Sequence, residues 1–225
     1  MKNKILVIDT ETCDLHGNVY DVGYVVTDRD GAIYEEGHAL VRETFTDARK
    51  MMGAFYADKM FSHYAPMLSD GVIKLRAWSA VADHLRAVAG DNKVSTVAAY
   101  NLGFDERVLR RMGETFDTAP LFDASVRALD IWQFACETRL ARGPYRKLAL
   151  AQGWVSAKGN IKTGAEFAYR FVSGDHGFIE QHTALHDARI ETEILAECFK
   201  QKKRVPYDVI NAAPWRMVQP KKVAA

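Results

Sequence analysis

Two acidic residues end the first apolar segment of the chain. Asp9 and Glu11 follow the run at residues 5–8, Ile-Leu-Val-Ile, which predicts a strand buried on both faces. Because side chains on a strand alternate, positions 9 and 11 face the same side. Two adjacent carboxylates at the end of a buried strand repel each other and lose hydration. A divalent cation between them would relieve both costs; a strand that simply enters a polar loop would need none.

A third acid follows a second apolar strand. Asp105 closes the segment 100–105, Tyr-Asn-Leu-Gly-Phe-Asp, between a predicted strand and a predicted helix. Gly103 permits a tight turn at this point. Taken alone, an acid in the first turn of a helix is explained by the positive end of the helix dipole. A ligand role for Asp105 therefore depends on what else lies near it.

An imidazole precedes a fourth acid near the end of the chain. In the segment 182–188, His-Thr-Ala-Leu-His-Asp-Ala, His182 lies five residues before Asp187, around the predicted start of a helix. If Thr183 caps that helix, His182 remains in the loop and can turn towards Asp187. This arrangement would place a titratable base beside the acids.

The same segment also allows a different metal. His182 and His186 have the i, i+4 spacing of a zinc pair, and Asp9 or Glu11 would supply a third ligand. Several carboxylates together favour a hard cation such as Mg²⁺ or Mn²⁺ instead. Zinc is therefore the lesser alternative.

The elements that must position these residues indicate a mixed sheet. Strands are predicted at residues 4–8, 19–27, 32–41 and 94–100, with a brief one at 121–122. Helices are predicted at residues 48–68, 78–88, 104–112, 131–140, 163–172 and 182–199. The turn at 28–31 makes an antiparallel hairpin, and later helices supply the crossovers that parallel strands need. The predicted fold class is α/β, with helices flanking the sheet.

Composition indicates a globular chain. Its 225 residues are 48% hydrophobic and 26% charged, which excludes wholesale disorder. The run at 5–8 is shorter than the core of a signal peptide, and no segment approaches the length of a membrane span. Three scattered cysteines without a CxxC pair predict neither a disulfide framework nor a zinc knuckle. We therefore expect no membrane association and a reducing, cytoplasmic location.

Charge is segregated along the chain although the net charge is only +1. Residues 139–162 hold six basic residues and no acid, and residues 200–225 hold seven basic residues and one acid. Such segments present a basic surface to phosphates or are simply solvated. Tyr145 and Trp154, within the first segment, would either guide a nucleic-acid strand or pack in the core.

The three acidic segments occur in the order of a known set of motifs. Asp9-Thr10-Glu11-Thr12, the segment 101–105 and the segment 182–188 resemble the DxET, NxxFD and HxAxxDA motifs of the DEDDh 3′–5′ exonuclease superfamily. That superfamily includes polymerase proofreading subunits, RNase T and oligoribonuclease. The resemblance spans about residues 5–198. Within the superfamily, the chain resembles the stand-alone bacterial or phage members. It implies a ribonuclease-H-like exonuclease domain over residues 1–200 and a basic tail over 201–225.

The resemblance also implies a division of roles among the site residues. Asp9, Glu11, Asp105 and Asp187 would bind two Mg²⁺ ions, for which Mn²⁺ can substitute. His182 would act as the general base, and a histidine with a pKa near 6.5 suits that role at neutral pH.

Substrate contacts are implied for five further residues. By the resemblance, the substrate-binding residues are Thr10, Thr12, Leu15, Asn101 and Phe104. Thr12 would lie near the terminal sugar, Leu15 would wedge against the last bases, and Phe104 would contact a base or pack in the core. The chain departs from the common first motif at Asp14, where many relatives have glycine, which leaves the fit of the terminal nucleotide open.

The implied function is removal of nucleoside 5′-monophosphates from the 3′ end of single-stranded DNA. RNA 3′-end trimming is an alternative, since discrimination rests on 2′-hydroxyl contacts that no motif reports. A second alternative is a proofreading or scaffolding subunit that meets a polymerase or repair complex through the basic tail. The expected location is the cytoplasm, or the host cytoplasm for a phage protein.

Overall fold

The core of the structure is a six-stranded mixed sheet. The structure is a computed structural model that describes residues 3–54, 57–201 and 204–220. The strands are β1 (Lys4–Thr12), β2 (Val19–Thr27), β3 (Ile33–Val41), β4 (Lys74–Arg76), β5 (Val94–Ala99) and β6 (Arg127–Asp130), in the order β4-β3-β2-β1-β5-β6. β1, β2 and β3 are antiparallel neighbours, whereas the β1–β5, β5–β6 and β3–β4 pairs are parallel. The predicted α/β fold is confirmed.

Nine α-helices surround the sheet within the described residues. They are α1 (Arg42–Phe45), α2 (Ala48–Met52), α3 (Ala65–Ser69), α4 (Trp78–Asp91), α5 (Leu102–Thr115), α6 (Ile131–Ala135), α7 (Gly143–Ala151), α8 (Ala165–Ser173) and α9 (Ala184–Phe199). Single π-helical turns cover Met60–Tyr64 and Cys136–Leu140, and a 3₁₀ turn covers Pro214–Met217. In the described parts of the chain, no helix has the length and apolar character needed to cross a bilayer.

Strand alternation divides the core into two layers. Ile5 and Val7 of β1 face α6 and α9, whereas Leu6 and Ile8 face α4 and α5. β1 is buried along most of its length because it lies between β2 and β5 and is covered on both faces. This arrangement holds Asp9 and Glu11 at the end of a rigid central strand.

Several predicted elements differ from the structure. The strand expected at 121–122 is irregular, and β6 begins five residues later, at Arg127. The long helix expected at 48–68 is broken: α2 ends at Met52, before Gly53, and the short α3 begins at Ala65 with Pro66 in its first turn. β4 was not predicted because three residues carry no periodicity. α7 was not predicted because its start, Gly143-Pro144, reads as a turn although proline is favoured in a helix's first turn.

The segment predicted as a basic tail contacts the domain where it is described. Val218 is completely buried among residues of the α6–α9 layer. Arg146 donates hydrogen bonds to the carbonyls of Met217 and Val218, and Asp208 accepts hydrogen bonds from Arg127. All four lysines of the predicted tail lie outside the described residues: Lys202, Lys203, Lys221 and Lys222.

Candidate active site

The predicted acids meet at the carboxyl edge of the sheet. Because β1 and β5 are parallel, the end of β1 lies beside the turn from β5 into α5. Asp105 lies in the first turn of α5 and Asp187 in the first turn of α9. Thr10, between Asp9 and Glu11 on β1, hydrogen-bonds Asp105, and ligand atoms of Glu11 and Asp187 lie within 4.8 Å of each other, so the four carboxylates meet at this edge.

His182 faces this cluster from the loop before α9. One ligand atom each of Glu11, His182 and Asp187 lie within 4.8 Å of one another. His182 Nδ1 is 3.9 Å from Asp187 Oδ2, and its backbone has a left-handed φ of 52°. The left-handed residue turns the chain immediately before the helix. The helix predicted to begin at residue 182 begins at Ala184, and His182 lies in the loop before it with its ring beside Asp187.

Burial and crowding raise the pKa values of the carboxylates. Burial is the largest cause for Asp9, whose pKa lies well above the usual value, with Glu191 and Asp187 adding repulsion. Burial, followed by the charge of Asp187, raises the pKa of Glu11 to about 9. Negative charges packed this closely are stable together only with a compensating cation or with bound protons.

Thr10 orients one of the acids. Its hydroxyl donates a hydrogen bond of 2.7 Å to Asp105 Oδ1, and both side chains are buried. Burial raises the pKa of Asp105 to about 7, and the hydrogen bond from Thr10 opposes that rise. Thr10 thus acts on the site through Asp105, on the opposite face of β1 from Asp9 and Glu11.

A fifth carboxylate belongs to the cluster and was not predicted. Glu191 is buried one helical turn after Asp187, and its Oε2 accepts a hydrogen bond of 3.0 Å from the Tyr100 N–H. Among the neighbouring charges, Glu191 raises the pKa of Asp9 most, and burial raises the pKa of Glu191 itself well above the usual value. The signal in the sequence is an acid within the apolar face of α9, at i+4 from Asp187.

Asp21 of β2 helps to fix the position of α9. Asp21 Oδ2 accepts hydrogen bonds of 3.0 Å from the Ala184 N–H and from the Tyr64 hydroxyl. Thr183 occupies the N-cap position, but its side chain makes no capping bond. The first amide of α9 is thus satisfied by a neighbouring strand rather than by the predicted cap.

Gly23 lets α9 approach the sheet. It pairs directly with Asp9 across β1 and β2. A Cβ at Gly23 would lie only 2.2 Å from the Ala184 carbonyl carbon and the Leu185 amide nitrogen. Only glycine fits at this crossing, so it sets the distance between α9, which carries Asp187, and the strand that carries Asp9.

Replacement of Gly23 by alanine is expected to displace α9 and with it Asp187. The added methyl group must push α9 outward, because both contacting atoms belong to backbone. We expect a loss of about 1–3 kcal/mol in the free energy of unfolding and at least tenfold weaker Mn²⁺ binding by calorimetry. Gly90→Ala in α4 is the matched control, since a Cβ there meets nothing within 4 Å. Equal Mn²⁺ affinity in the two variants would contradict this assignment.

The surroundings of His182 favour its neutral form. Burial lowers the pKa of His182, and the positive charge of Lys59 lowers it further. Glu180 Oε2 lies 3.8 Å from His182 Nδ1, and burial raises the pKa of Glu180 to about 8. Lys59 donates a hydrogen bond to the Gln181 carbonyl, which holds it beside this loop. No sequence pattern indicated Lys59 or Glu180.

The alternative zinc pair is not formed. His186 Nδ1 lies 3.2 Å from Asp187 Oδ1, closer than His182, but its ring stacks on Phe178 at 5.8 Å. Within the described residues, the group that could hold a metal contains His182 and not His186. The two histidines therefore lie near different oxygens of the Asp187 carboxylate.

The predicted substrate residues adjoin the site acids in sequence and differ in exposure. Thr12 is half-buried at the end of β1, just after a register shift, and Leu15 is 60% exposed in the following loop. Asn101 adopts a left-handed φ of 73° between β5 and α5. Phe104 is partly buried against the α4–α5 layer, with the Arg107 guanidinium 5.2 Å from its ring centre.

The aromatic residues of the basic segment are core residues. Tyr145 is completely buried and Trp154 is 5% exposed, and their rings pack on each other and on α8. The alternative that these rings guide a strand is therefore wrong. Arg139 and Arg146 are also engaged within the domain, whereas Lys147 and Lys158 are exposed.

The donor set suits a hard divalent cation. Carboxylate oxygens predominate, one imidazole accompanies them, and all come from rigid elements or the loop next to α9. Oxygen-rich donors of this kind match Mg²⁺ or Mn²⁺ better than a softer metal. The raised pKa values of Asp9 and Glu11 give a physical reason for binding, because a cation would relieve their repulsion.

Fold and cluster together define a class: an α/β domain whose mixed sheet carries buried carboxylates and one imidazole at its carboxyl edge. Family models and curated proteins provide no match to the chain. Among solved structures, it is similar to E. coli exonuclease I in complex with a 5cy-dT13 oligonucleotide (TM-score 0.58, 13% identity, 86% of this chain and 40% of that chain).

Two further structures are similar. A product-bound structure of exonuclease I has a TM-score of 0.55 at 15% identity, over 89% of this chain and 46% of that chain. Exonuclease X in complex with 5′ overhanging duplex DNA has a TM-score of 0.47 at 18% identity, over 88% of this chain and 92% of that chain. The chain spans less than half the length of the exonuclease I chains. At these identities the exonuclease I structures establish a shared fold.

Proposed function

We propose that this chain is a metal-dependent 3′–5′ exonuclease that releases nucleoside 5′-monophosphates from the 3′ end of single-stranded DNA. The observation that carries the proposal is the cluster of Glu11, Asp187 and His182, with Asp9 and Asp105 beside it. It lies at the carboxyl edge of a sheet whose fold is shared with exonuclease I. The order of the three sequence motifs supports the same function.

Four carboxylates would hold the metal ions. Asp9, Glu11, Asp105 and Asp187 are the ligands in this proposal, with two Mg²⁺ as the resident ions and Mn²⁺ as a substitute. Bound divalent cations supply Lewis-acid stabilisation of the attacking and leaving oxygens of the phosphodiester. Thr10 holds Asp105 in place through its hydroxyl, and Gly23 and Asp21 hold the helix that carries Asp187.

His182 would accept the proton of the attacking water. Glu180 and Asp187 both lie on the Nδ1 side of its ring, which favours a proton on Nδ1 and leaves Nε2 as the acceptor. The water oxygen bonds to phosphorus, its proton passes to His182, and the bond from phosphorus to the 3′-oxygen breaks. The 3′-oxygen then takes a proton from solvent, so charge and atoms balance.

The exposed positions of the first motif would meet the terminal nucleotide. Leu15, at 60% exposure, has the freedom to wedge against the last bases, and Thr12 lies between it and Glu11. Asn101 immediately precedes α5, and Phe104 lies in the first turn of α5, next to Asp105. In this proposal these residues bind the sugar and base, and the phosphate binds the metal ions that the carboxylates hold.

DNA is the favoured substrate because the similar exonuclease I structure holds a dT13 oligonucleotide. RNA trimming is the competing activity, and the discriminating contact would be to a 2′-hydroxyl. Association with a polymerase or repair complex through residues 201–225 stays a prediction. The described part of that segment, 204–220, is engaged with the domain itself.

Digestion of end-labelled oligonucleotides tests the function and its direction. We expect DNA single strands to shorten from the 3′ end in Mg²⁺ or Mn²⁺, with a 3′ label released first as a mononucleotide. Matched RNA and duplex substrates measure the preference, and excess chelator should stop the reaction. Release of mononucleotides first from a 5′ label, or cuts within a circular single strand, would contradict the proposed reaction.

A further inference from the structure

An open groove lies beside the carboxylate cluster and is not part of it. Its volume is about 340 Å³, and it runs between the turn at residues 156–164, α8 and the 3₁₀ turn near the end of the chain. Three aromatic side chains line it: Trp132, Phe167 and Trp215. All three are partly exposed, unlike Tyr145 and Trp154, which the core encloses.

The groove combines aromatic faces with positive charge. The Lys162 ammonium lies 4.7 Å from the Phe167 ring centre, and the Arg216 guanidinium lies 5.7 Å from that of Trp215. Both cations are exposed. Among the described residues that line the groove none is acidic, whereas the neighbouring cluster holds five carboxylates. The charge of the groove is therefore complementary to a phosphate backbone.

Tyr100 joins the groove to the cluster. Its ring stacks on Trp132 with centroids 6.3 Å apart, and its hydroxyl donates to the Thr163 carbonyl on the groove wall. Trp132 Nε1 donates to Thr163 Oγ1, which fixes the indole plane. The Tyr100 amide donates to Glu191, which lies beside Asp9. One residue therefore spans the wall between the two sites.

We propose that this groove binds the nucleotides that precede the 3′-terminal one in a single-stranded nucleic acid. Bases would stack on Trp215 and Trp132, and Lys162 and Arg216 would meet their phosphates. Aromatic stacking tolerates every base, and a basic groove follows the backbone. The identity of the ligand rests on the proposed nuclease function, whereas the binding surface itself can be measured without cleavage.

Binding in chelator separates this groove from catalysis. We would measure the affinity of fluorescently labelled thymidine 5′-monophosphate and of deoxythymidine oligomers up to a dodecamer by anisotropy in EDTA. Trp215→Ala should weaken dodecamer binding by roughly 5- to 100-fold, the range for one stacked base. Labelled thymidine 5′-monophosphate should lose little, because it has no nucleotide before its 3′-terminal one and so does not reach the groove. Trp215→Phe should restore most of the affinity, because it retains an aromatic face.

The role of Lys162 is tested by comparing two lysine variants. Lys162→Ala should reduce the slope of log affinity against log salt by about one, as for one lost phosphate contact. Lys74→Ala removes an equally exposed cation from β4, at the opposite edge of the sheet, and should change nothing. Because Lys162 is exposed, its variant should fold normally even if Trp215→Ala loosens the end of the chain.

The outcomes of the groove and of the nuclease proposal are distinguishable. Unchanged dodecamer affinity and salt slope in the Trp215→Ala, Lys162→Ala double variant would overturn the groove, whatever the chain cleaves. With Mg²⁺ present, the same double variant should raise KM for the dodecamer while kcat stays near wild type. Weakened binding in a chain without 3′ cleavage would overturn the nuclease function and support the groove.

Discussion

Replacement of Asp187 by asparagine will nearly abolish metal-dependent cleavage and leave the fold intact. Its carboxylate lies within 4.8 Å of the ligand atoms of Glu11 and His182, so its charge is central to cation binding. Loss of several kcal/mol of transition-state stabilisation corresponds to about 10³-fold or more in turnover. Single-turnover hydrolysis of a labelled strand, in Mg²⁺ and in Mn²⁺, measures the loss.

The same variant should be more stable than wild type without metal. Burial, followed by the charge of Asp187, raises the pKa of Glu11 to about 9 and the pKa of Glu180 to about 8. A carboxyl whose pKa is higher in the folded state destabilises the fold once pH exceeds the unfolded pKa near 4, so the destabilisation is present at pH 7. Removal of one charge should raise the melting temperature in EDTA by roughly 2–4 °C, for about 1 kcal/mol.

With Mg²⁺ present, the order of stability of wild type and Asp187→Asn should reverse. Cation binding to the folded wild type adds stability by mass action, and Asp187→Asn should lose most of that increase. Asp91→Asn, an exposed change at the end of α4, should keep it. Full cleavage in excess chelator, or an undiminished Mg²⁺ effect in Asp187→Asn, would rule out the carboxylate cluster as the metal site.

Loss of His182 should slow turnover by about 10²–10⁴-fold, the range for a positioned general base. Asparagine is the better replacement than alanine, because His182 has a left-handed φ of 52° that asparagine tolerates. The four acids remain, so Mn²⁺ affinity should stay near wild type by calorimetry. The acidic limb of the pH–rate profile should disappear, since the group that must be deprotonated is gone.

His186→Ala is the internal control for this prediction. The structure places His186 closer to Asp187 than His182, at 3.2 Å against 3.9 Å, so a purely electrostatic role would make His186 the more sensitive position. We expect a mild effect because its ring stacks on Phe178 and lies outside the group of possible ligands. If His186→Ala proves crippling and His182→Asn mild, the roles of the two histidines must be exchanged.

Much of the fold follows from patterns that a sequence carries directly. Apolar runs predict β1, β2 and β5 because each is long enough for its burial to show, and the turn at 28–31 predicts β3 as the hairpin partner of β2. α4, α5 and α9 have clear apolar faces. The misses have local causes: β4 has only three residues, and the segment 48–68 contains breaks that its apolar residues do not reveal.

Some features of the candidate site were also predictable from the sequence, and others were not. Asp9, Glu11, Asp105, His182 and Asp187 were predicted as one site by the resemblance of three motifs, whereas the element ends alone left a non-metal explanation open for each acid. Whether Tyr145 and Trp154 face solvent could not be predicted, because an aromatic ring in a basic segment suits a surface or a core equally. Packing against α8 buried both.

The sequence by itself determined the chemistry available to this protein: the acids, the imidazole, and the strands and helices that end at them. Tertiary structure alone decided which side chains meet. Three features join residues far apart in the chain: the close crossing of α9 over Gly23, the hydrogen bond that the first amide of α9 donates to Asp21, and the burial of Glu191 beside Asp9. Distances and burial between such residues, and the pKa shifts that follow, arise only when separate elements pack, so no local pattern can encode them.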